Sequence, residues 1–113
     1  MLQVLHNPRC GKSRNCLAYL KESNKEFEVL PYLETPPTVE ELKILLKKLK
    51  VSPLELVRQK EALWIANYKS KSLTEEEIIK ALSEHPILIE RPIVIDGENA
   101  VIGRELDKLE RFL

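Results

Sequence analysis

A brief apolar run, Leu2 to Leu5, stops at His6-Asn7-Pro8, and from Gly11 onward the apolar spacing turns helical. The run is bounded by turn residues and reads as a short buried strand. In the segment that follows, Cys16, Leu17 and Leu20 share one face, while Arg14, Lys21 and Glu22 are polar. Phe27 to Leu30 then reads as a second strand. A strand, a helix and a strand in succession favour a parallel pair, because a parallel return needs a crossover of this length. That opening constrains everything downstream to an α/β arrangement.

The remaining signals fill in the order. Glu34-Thr-Pro-Pro makes a turn, and Thr38-x-x-Glu41 is a capping box that opens a helix. Leu42, Leu45, Leu46 and Leu49 form its inner face, and Lys43, Lys47, Lys48 and Lys50 solvate the outer one. Ser52-Pro53-Leu54-Glu55 combines an N-cap, a proline at the first helical position and an early Glu, which predicts a helix carrying Leu54, Val57 and Arg58. A second capping box, Thr74-x-x-Glu77, opens a helix with Ile78, Ala81 and Leu82 inward, ending near His85-Pro86. Ile93 to Ile95 and Ala100 to Ile102 flank the turn Asp96-Gly97-Glu98-Asn99, a hairpin signal. Leu106, Leu109 and Phe112 mark a closing helix. The order is β-α-β, a helical block, then β-β-α. This is the order of a thioredoxin-like fold with a mixed sheet and a helical insertion at about 38–85. At 113 residues, with no linker, repeat or low-complexity tract, the chain suits one domain, 1–113.

Bulk charge narrows the function classes. There are 18 basic and 18 acidic side chains, so the formal net charge is zero. A general nucleic-acid binder needs an excess of Lys and Arg, so nucleic acid is not an expected partner. The N-terminal apolar run is too short for a signal peptide or a membrane helix, and a cytoplasmic location is expected. In such a reducing compartment the two cysteines, Cys10 and Cys16, are expected as thiols. Two Cys and two His with no C-x-x-C do not supply a four-ligand zinc site, so no metal is expected.

The chemistry concentrates at Cys10, at the junction of the first strand and first helix. The backbone N–H groups of Gly11, Lys12 and Ser13 would be unpaired donors of that helix start, and they form an anion site reinforced by the macrodipole. A cysteine there ionises more easily, because the thiolate is the charged form being stabilised. Arg9, Lys12 and Arg14 add positive charge, Gly11 permits close approach to the backbone, and His6 stands at the strand end within reach of the sulfur. These neighbours argue for a reactive thiolate over a small buried hydrophobe. Cys16 lies in the apolar helix face. Six residues of helix rise about 9 Å, too far for the two sulfurs to bond on one regular helix. It is read as a core thiol, so an external thiol must resolve Cys10.

Arginine usage is a second clue. Of the 18 basic residues 12 are Lys, largely on helix faces, whereas Arg58, Arg91 and Arg104 sit at element boundaries. Arg suits bidentate grip on a tetrahedral oxyanion, although each taken alone is read as pairing with a surface carboxylate. Arg91-Pro92 precedes the third strand, where thioredoxin-like folds carry a cis proline facing the active cysteine. Glu75 to Glu77 suit a helix N-terminus, Trp64 and Tyr68 are spaced to pack together, and His85 is read as a helix end.

His6-Asn7-Pro8-Arg9-Cys10-Gly11-Lys12-Ser13-Arg14 resembles the active-site segment of the glutaredoxin-linked arsenate reductases. The resemblance continues in Tyr32 to Pro37, in Leu56-Val57-Arg58, in His85 to Val94 and around Gly103-Arg104, and so covers essentially the whole chain. It implies that Cys10 attacks arsenate, that His6 helps hold the thiolate and that Ser13 hydrogen-bonds it. It further implies that Arg58, Arg91 and Arg104 bind the oxyanion, beside Gly11 and Lys12. The implied partners are arsenate or a similar oxyanion, glutathione as co-substrate and glutaredoxin, with no bound cofactor; a monomer is expected. Lys12 stands where the family usually has Thr.

Two other readings stay open. A transcription regulator of the Spx type, binding the RNA polymerase α subunit, shares the fold, but the redox C-x-x-C common there is Cys10-x-x-Ser13 here. A general glutathione-dependent oxidoreductase that does not use arsenate would keep the same thiol. A low-molecular-weight phosphatase needs Arg six residues after its cysteine, and Cys16 occupies that place.

Overall fold

The computed structural model describes residues 1–113. In chain order the elements are β1 (Leu2–Leu5), α1 (Gly11–Glu22), β2 (Phe27–Leu30), α2 (Val39–Leu49), α3 (Ala62–Asn67), α4 (Glu75–Glu84), β3 (Ile93–Asp96), β4 (Asn99–Ile102) and α5 (Leu106–Phe112). Two short 3-10 turns, Pro53–Leu56 and Pro86–Leu88, interrupt the helical region. The chain divides into two units, Met1–Tyr32 with Arg91–Leu113, and Leu33–Glu90. The second unit is broader than the helical insertion expected at 38–85. No helix is long and apolar enough to cross a membrane.

The first unit is a four-stranded mixed sheet in the order β2-β1-β3-β4. β1 pairs parallel with β2, Val4 opposite Val29, because α1 carries the chain back to the same end. β1 pairs antiparallel with β3, Leu5 opposite Ile93, and β3 pairs antiparallel with β4, Ile93 opposite Ile102. Ile93, Val94 and Ile95 are all buried, as a strand in mid-sheet requires, whereas Glu28 and Val29 are exposed on the edge strand β2. Gly97 opens the two-residue turn between β3 and β4 with φ +60°, a backbone conformation glycine adopts without steric cost. Leu2, Val4, Cys16, Leu20, Val94 and Leu109 form the core, drawn from β1, α1, β3 and α5. This is the mixed thioredoxin-like order expected from the sequence. The closing helix marked by Leu106, Leu109 and Phe112 is α5; Leu109 is buried in it, whereas Leu106 is 45% exposed.

The second unit is helical. Both capping boxes form: Thr38 and Thr74 each accept a hydrogen bond from the N–H of the Glu three residues on, whose carboxylate accepts from the threonine N–H. Leu42, Leu45, Leu46 and Leu49 are buried, as are Ile78, Ala81 and Leu82 together with Ile79. α2 packs on α4, and Lys43 Nζ lies 3.1 Å from Glu76 Oε1 across them.

The helix expected from Ser52-Pro53 is the sharpest departure. A single 3-10 turn ends at Leu56, and Val57 is extended in an isolated bridge to Ile89. The Arg58 N–H donates to the Leu88 carbonyl at 2.7 Å, and the Glu90 N–H donates to the Leu56 carbonyl at 2.8 Å. Pairing with a segment thirty residues away overrides the local helix-start signals. The side chain of Ser52 makes no capping bond. α3, which had no start signal of its own, is held by buried Trp64, whose ring stacks on Tyr68 at 5.3 Å. His85 ends α4 as expected.

Candidate active site

Three hydrogen bonds through Asn7 shape the loop that delivers Cys10. The Asn7 carbonyl accepts from the Cys10 N–H at 3.0 Å, its Oδ1 accepts from the Arg9 N–H at 3.0 Å, and its own N–H donates to Ser13 Oγ at 3.0 Å. Asn7 is buried. It was not singled out from the sequence, yet Asn before Pro is a turn cue, since its side chain readily bonds the backbone two residues on. Arg14 donates from Nη1 to the Pro8 carbonyl at 2.9 Å and closes the loop from outside.

Cys10 then occupies the N-cap of α1, with extended φ −97° and ψ 121°. Its carbonyl accepts the first intrahelical bond from the Arg14 N–H at 3.0 Å. The N–H groups of Gly11, Lys12 and Ser13 consequently lack intrahelical acceptors, and those of Ser13 and Lys12 bond the Cys10 sulfur. A Cβ built on Gly11 would meet only Arg14 Nη2, at an ordinary 3.7 Å. Internal packing therefore does not demand glycine there.

Cys10 is nearly buried, at 9% exposure, and that burial by itself opposes ionisation. Hydrogen bonds to the sulfur outweigh it: the Ser13 amide, the Arg91 side chain, the Lys12 amide and the Arg104 side chain. Together they bring the thiol down to a pKa of about 7. Arg104 Nη1 lies 3.9 Å from the sulfur and also donates to the Arg91 carbonyl at 2.9 Å. Arg91 is buried, and its bond to Pro92 is cis, as its position before β3 suggested. Thus Arg91 and Arg104, distant in sequence, meet at one thiol, with the Lys12 amide but not its exposed side chain accounting for Lys12's part.

The Ser13 hydroxyl is engaged elsewhere. It lies 2.6 Å from His6 Nδ1 and accepts from the Asn7 N–H, so Ser13 reaches the sulfur through its amide. His6 is half-buried; burial, then the charges of Arg14 and Lys21, lower its pKa. Arg58 belongs to the helical unit, where its Nε is 3.1 Å from Glu61 and its buried Nη1 has no hydrogen-bond partner.

Cys16 has the opposite environment. It is fully buried in the apolar core, and burial pushes its thiol up to about 11. The pair makes a direct prediction. Iodoacetamide should modify the native chain once, at Cys10, with a rate that rises as pH increases and reaches half its plateau near pH 7. Peptide mapping of the alkylated chain checks this; modification of Cys16 at a comparable rate, or a midpoint near the ordinary ~8.5, would contradict it.

The chain is similar to several known proteins. The ArsC family model matches residues 5–112. An uncharacterized Escherichia coli protein, YfgD, is 49% identical over 105 residues, which is 91% of this chain and 88% of that one. An arsenate reductase of Neisseria meningitidis is 37% identical over 114 residues, covering 99% of this chain and 97% of its own. The solved structure of an arsenate reductase from Vibrio cholerae superposes with a TM-score of 0.91 at 38% identity, covering 99% of this chain and 97% of that chain. With a family match across nearly its whole length and relatives at these identities, the chain belongs to the ArsC family.

Proposed function

We propose that the protein reduces arsenate to arsenite, with Cys10 as the nucleophile. One observation carries the reading: an acidified thiol at a helix N-cap, with Arg91 and Arg104 both hydrogen-bonding its sulfur. A thiolate at that point is ionised near neutral pH, and the same amides and guanidiniums suit a tetrahedral oxyanion docking against it. Relatives named arsenate reductase, similar along essentially the full chain, support arsenate as that oxyanion.

In the proposed sequence the Cys10 sulfur attacks arsenic and an arsenate hydroxyl leaves as water, giving a Cys10–arsenate adduct. Negative charge grows on the remaining oxygens, and Arg91 and Arg104 stabilise it in place. Arg58 joins this set by its match to the family motif. Two external thiols supply the two electrons that take As(V) to As(III). Glutathione attacks the arsenic of the adduct and a second hydroxyl leaves as water; a glutaredoxin thiolate then attacks the glutathione sulfur, the two leave joined as a disulfide, and their electron pair takes arsenic to As(III). Water finally cleaves the Cys10–As(III) bond, releasing arsenite and returning Cys10 as thiolate. Cys16, with its thiol protonated in the core, takes no part. The chain's own residues bind and activate, and no metal or bound cofactor enters these steps. The cytoplasm, where these thiols stay reduced, suits the scheme.

The test is arsenate-dependent NADPH oxidation with glutathione, glutathione reductase and glutaredoxin. The expected result is turnover that requires all components and saturates with arsenate. If NADPH consumption ignores arsenate while the protein still reduces a glutathione mixed disulfide, the enzyme is a general thiol oxidoreductase instead.

A further inference from the structure

Ser13 is fully buried, and its hydroxyl has two hydrogen-bonding neighbours, the Asn7 N–H at 3.0 Å and His6 Nδ1 at 2.6 Å. A backbone amide can only donate, so it occupies a lone pair of Oγ. The hydroxyl proton then requires an acceptor. Solvent does not reach it, and His6 Nδ1 is the one acceptor within hydrogen-bond distance. Nδ1 accepts only when it carries no proton.

We propose that Asn7 and Ser13 form a directional relay that holds His6 as a neutral imidazole with its proton on Nε2, so that His6 serves the site as a hydrogen-bond donor and not as a cation or a base. The remaining ring nitrogen is then Nε2–H, a donor suited to a thiolate or an oxyanion. The opposite direction, Nδ1–H donating to Ser13, would make Oγ accept twice and leave a buried hydroxyl proton without an acceptor. The charges around the ring agree: Arg14 and Lys21 both disfavour an imidazolium, in addition to burial. Ser13 is accordingly a positioning residue, acting through His6 and through its amide. The functional meaning of the relay rests on Cys10 being the working thiolate, as proposed above.

The tautomer can be read directly by nitrogen-15 NMR of the imidazoles in the full chain at neutral pH, with His6 assigned by its disappearance in His6→Gln. The expected spectrum shows one protonated nitrogen, Nε2, and one unprotonated nitrogen, Nδ1, with no averaging between them. Ser13→Ala should lose this single-tautomer pattern, and Ser13→Thr, which keeps the hydroxyl, should restore it. A wild-type spectrum with Nδ1 protonated, or with both nitrogens protonated, overturns the proposal, and so does an unchanged pattern in folded Ser13→Ala. The wild-type spectrum decides even if Ser13→Ala fails to fold. No arsenate or reductant enters the measurement. An inactive chain with the expected spectrum would therefore sink the arsenate reading alone, and an active chain with the other tautomer would sink the relay alone.

Discussion

Cys10→Ser is expected to lower arsenate-dependent turnover by at least about a thousandfold, to the assay background, because a hydroxyl at that place neither ionises near neutral pH nor forms a stable bond to arsenic that a thiol can then break. The fold should persist. The bonds that build this corner are backbone bonds, Cys10 N–H to Asn7 and Cys10 carbonyl from Arg14, and a serine Oγ can accept from the Ser13 and Lys12 amides that bond the sulfur. Serine is a favoured N-cap residue, so the melting temperature should stay level or rise slightly. Cys16→Ser gives the contrast. It places a hydroxyl in the apolar core and should cost about 1–3 kcal/mol of stability, yet turnover of the folded fraction should survive. Coupled kinetics with matched thermal melts check both variants. Measurable turnover in Cys10→Ser, or complete loss in folded Cys16→Ser, would reverse the roles given to the two sulfurs.

Leu109→Ala should destabilise the chain by roughly 2–5 kcal/mol, the usual range for truncating a fully buried leucine. For a chain of this length that corresponds to a fall in melting temperature of about 10 °C or more. Leu109 is fully buried and shares the core with Leu2, Val4, Cys16, Leu20 and Val94. Cutting it back leaves a cavity against α1, the helix whose first turn holds Cys10. Ile44→Ala is the control: Ile44 is 55% exposed on α2, and its loss should change stability by no more than about 0.5 kcal/mol. Urea or thermal unfolding of the two variants provides the comparison. Equal, small effects would mean that α5 is not part of the core that supports the site.

What was legible in the sequence follows from how local its physics is. The Leu2–Leu5 run, the leucine face of α2 and the two capping boxes depend on neighbours a few residues away, and all appear in the structure. The hairpin between β3 and β4 was visible because Gly97 supplies the turn from within. The Ser52-Pro53 segment misled because its partner, Ile89, lies far along the chain. The site divides in the same way. Cys10 and its amides could be read from one helix start. Asn7 was passed over because its role lies in three backbone-directed bonds that a lone residue type does not announce. Ser13 was expected to hydrogen-bond the thiolate and does so through its amide, and only the side-chain geometry shows that its hydroxyl goes to His6.

The hairpin has one more consequence. With Ile93 opposite Ile102, the ladder carries on to the Gly103 N–H, which donates to the Pro92 carbonyl at 2.8 Å, and to the Arg104–Arg91 contact beyond it. A two-residue turn at the far end thus works as a calliper for two guanidiniums. Slipping the strands by a single residue would send Arg104 to the opposite face of the sheet. The gap between the paired cations is thereby gauged at Gly97 and Glu98, a full strand away from Arg91 and Arg104 on each arm of the hairpin.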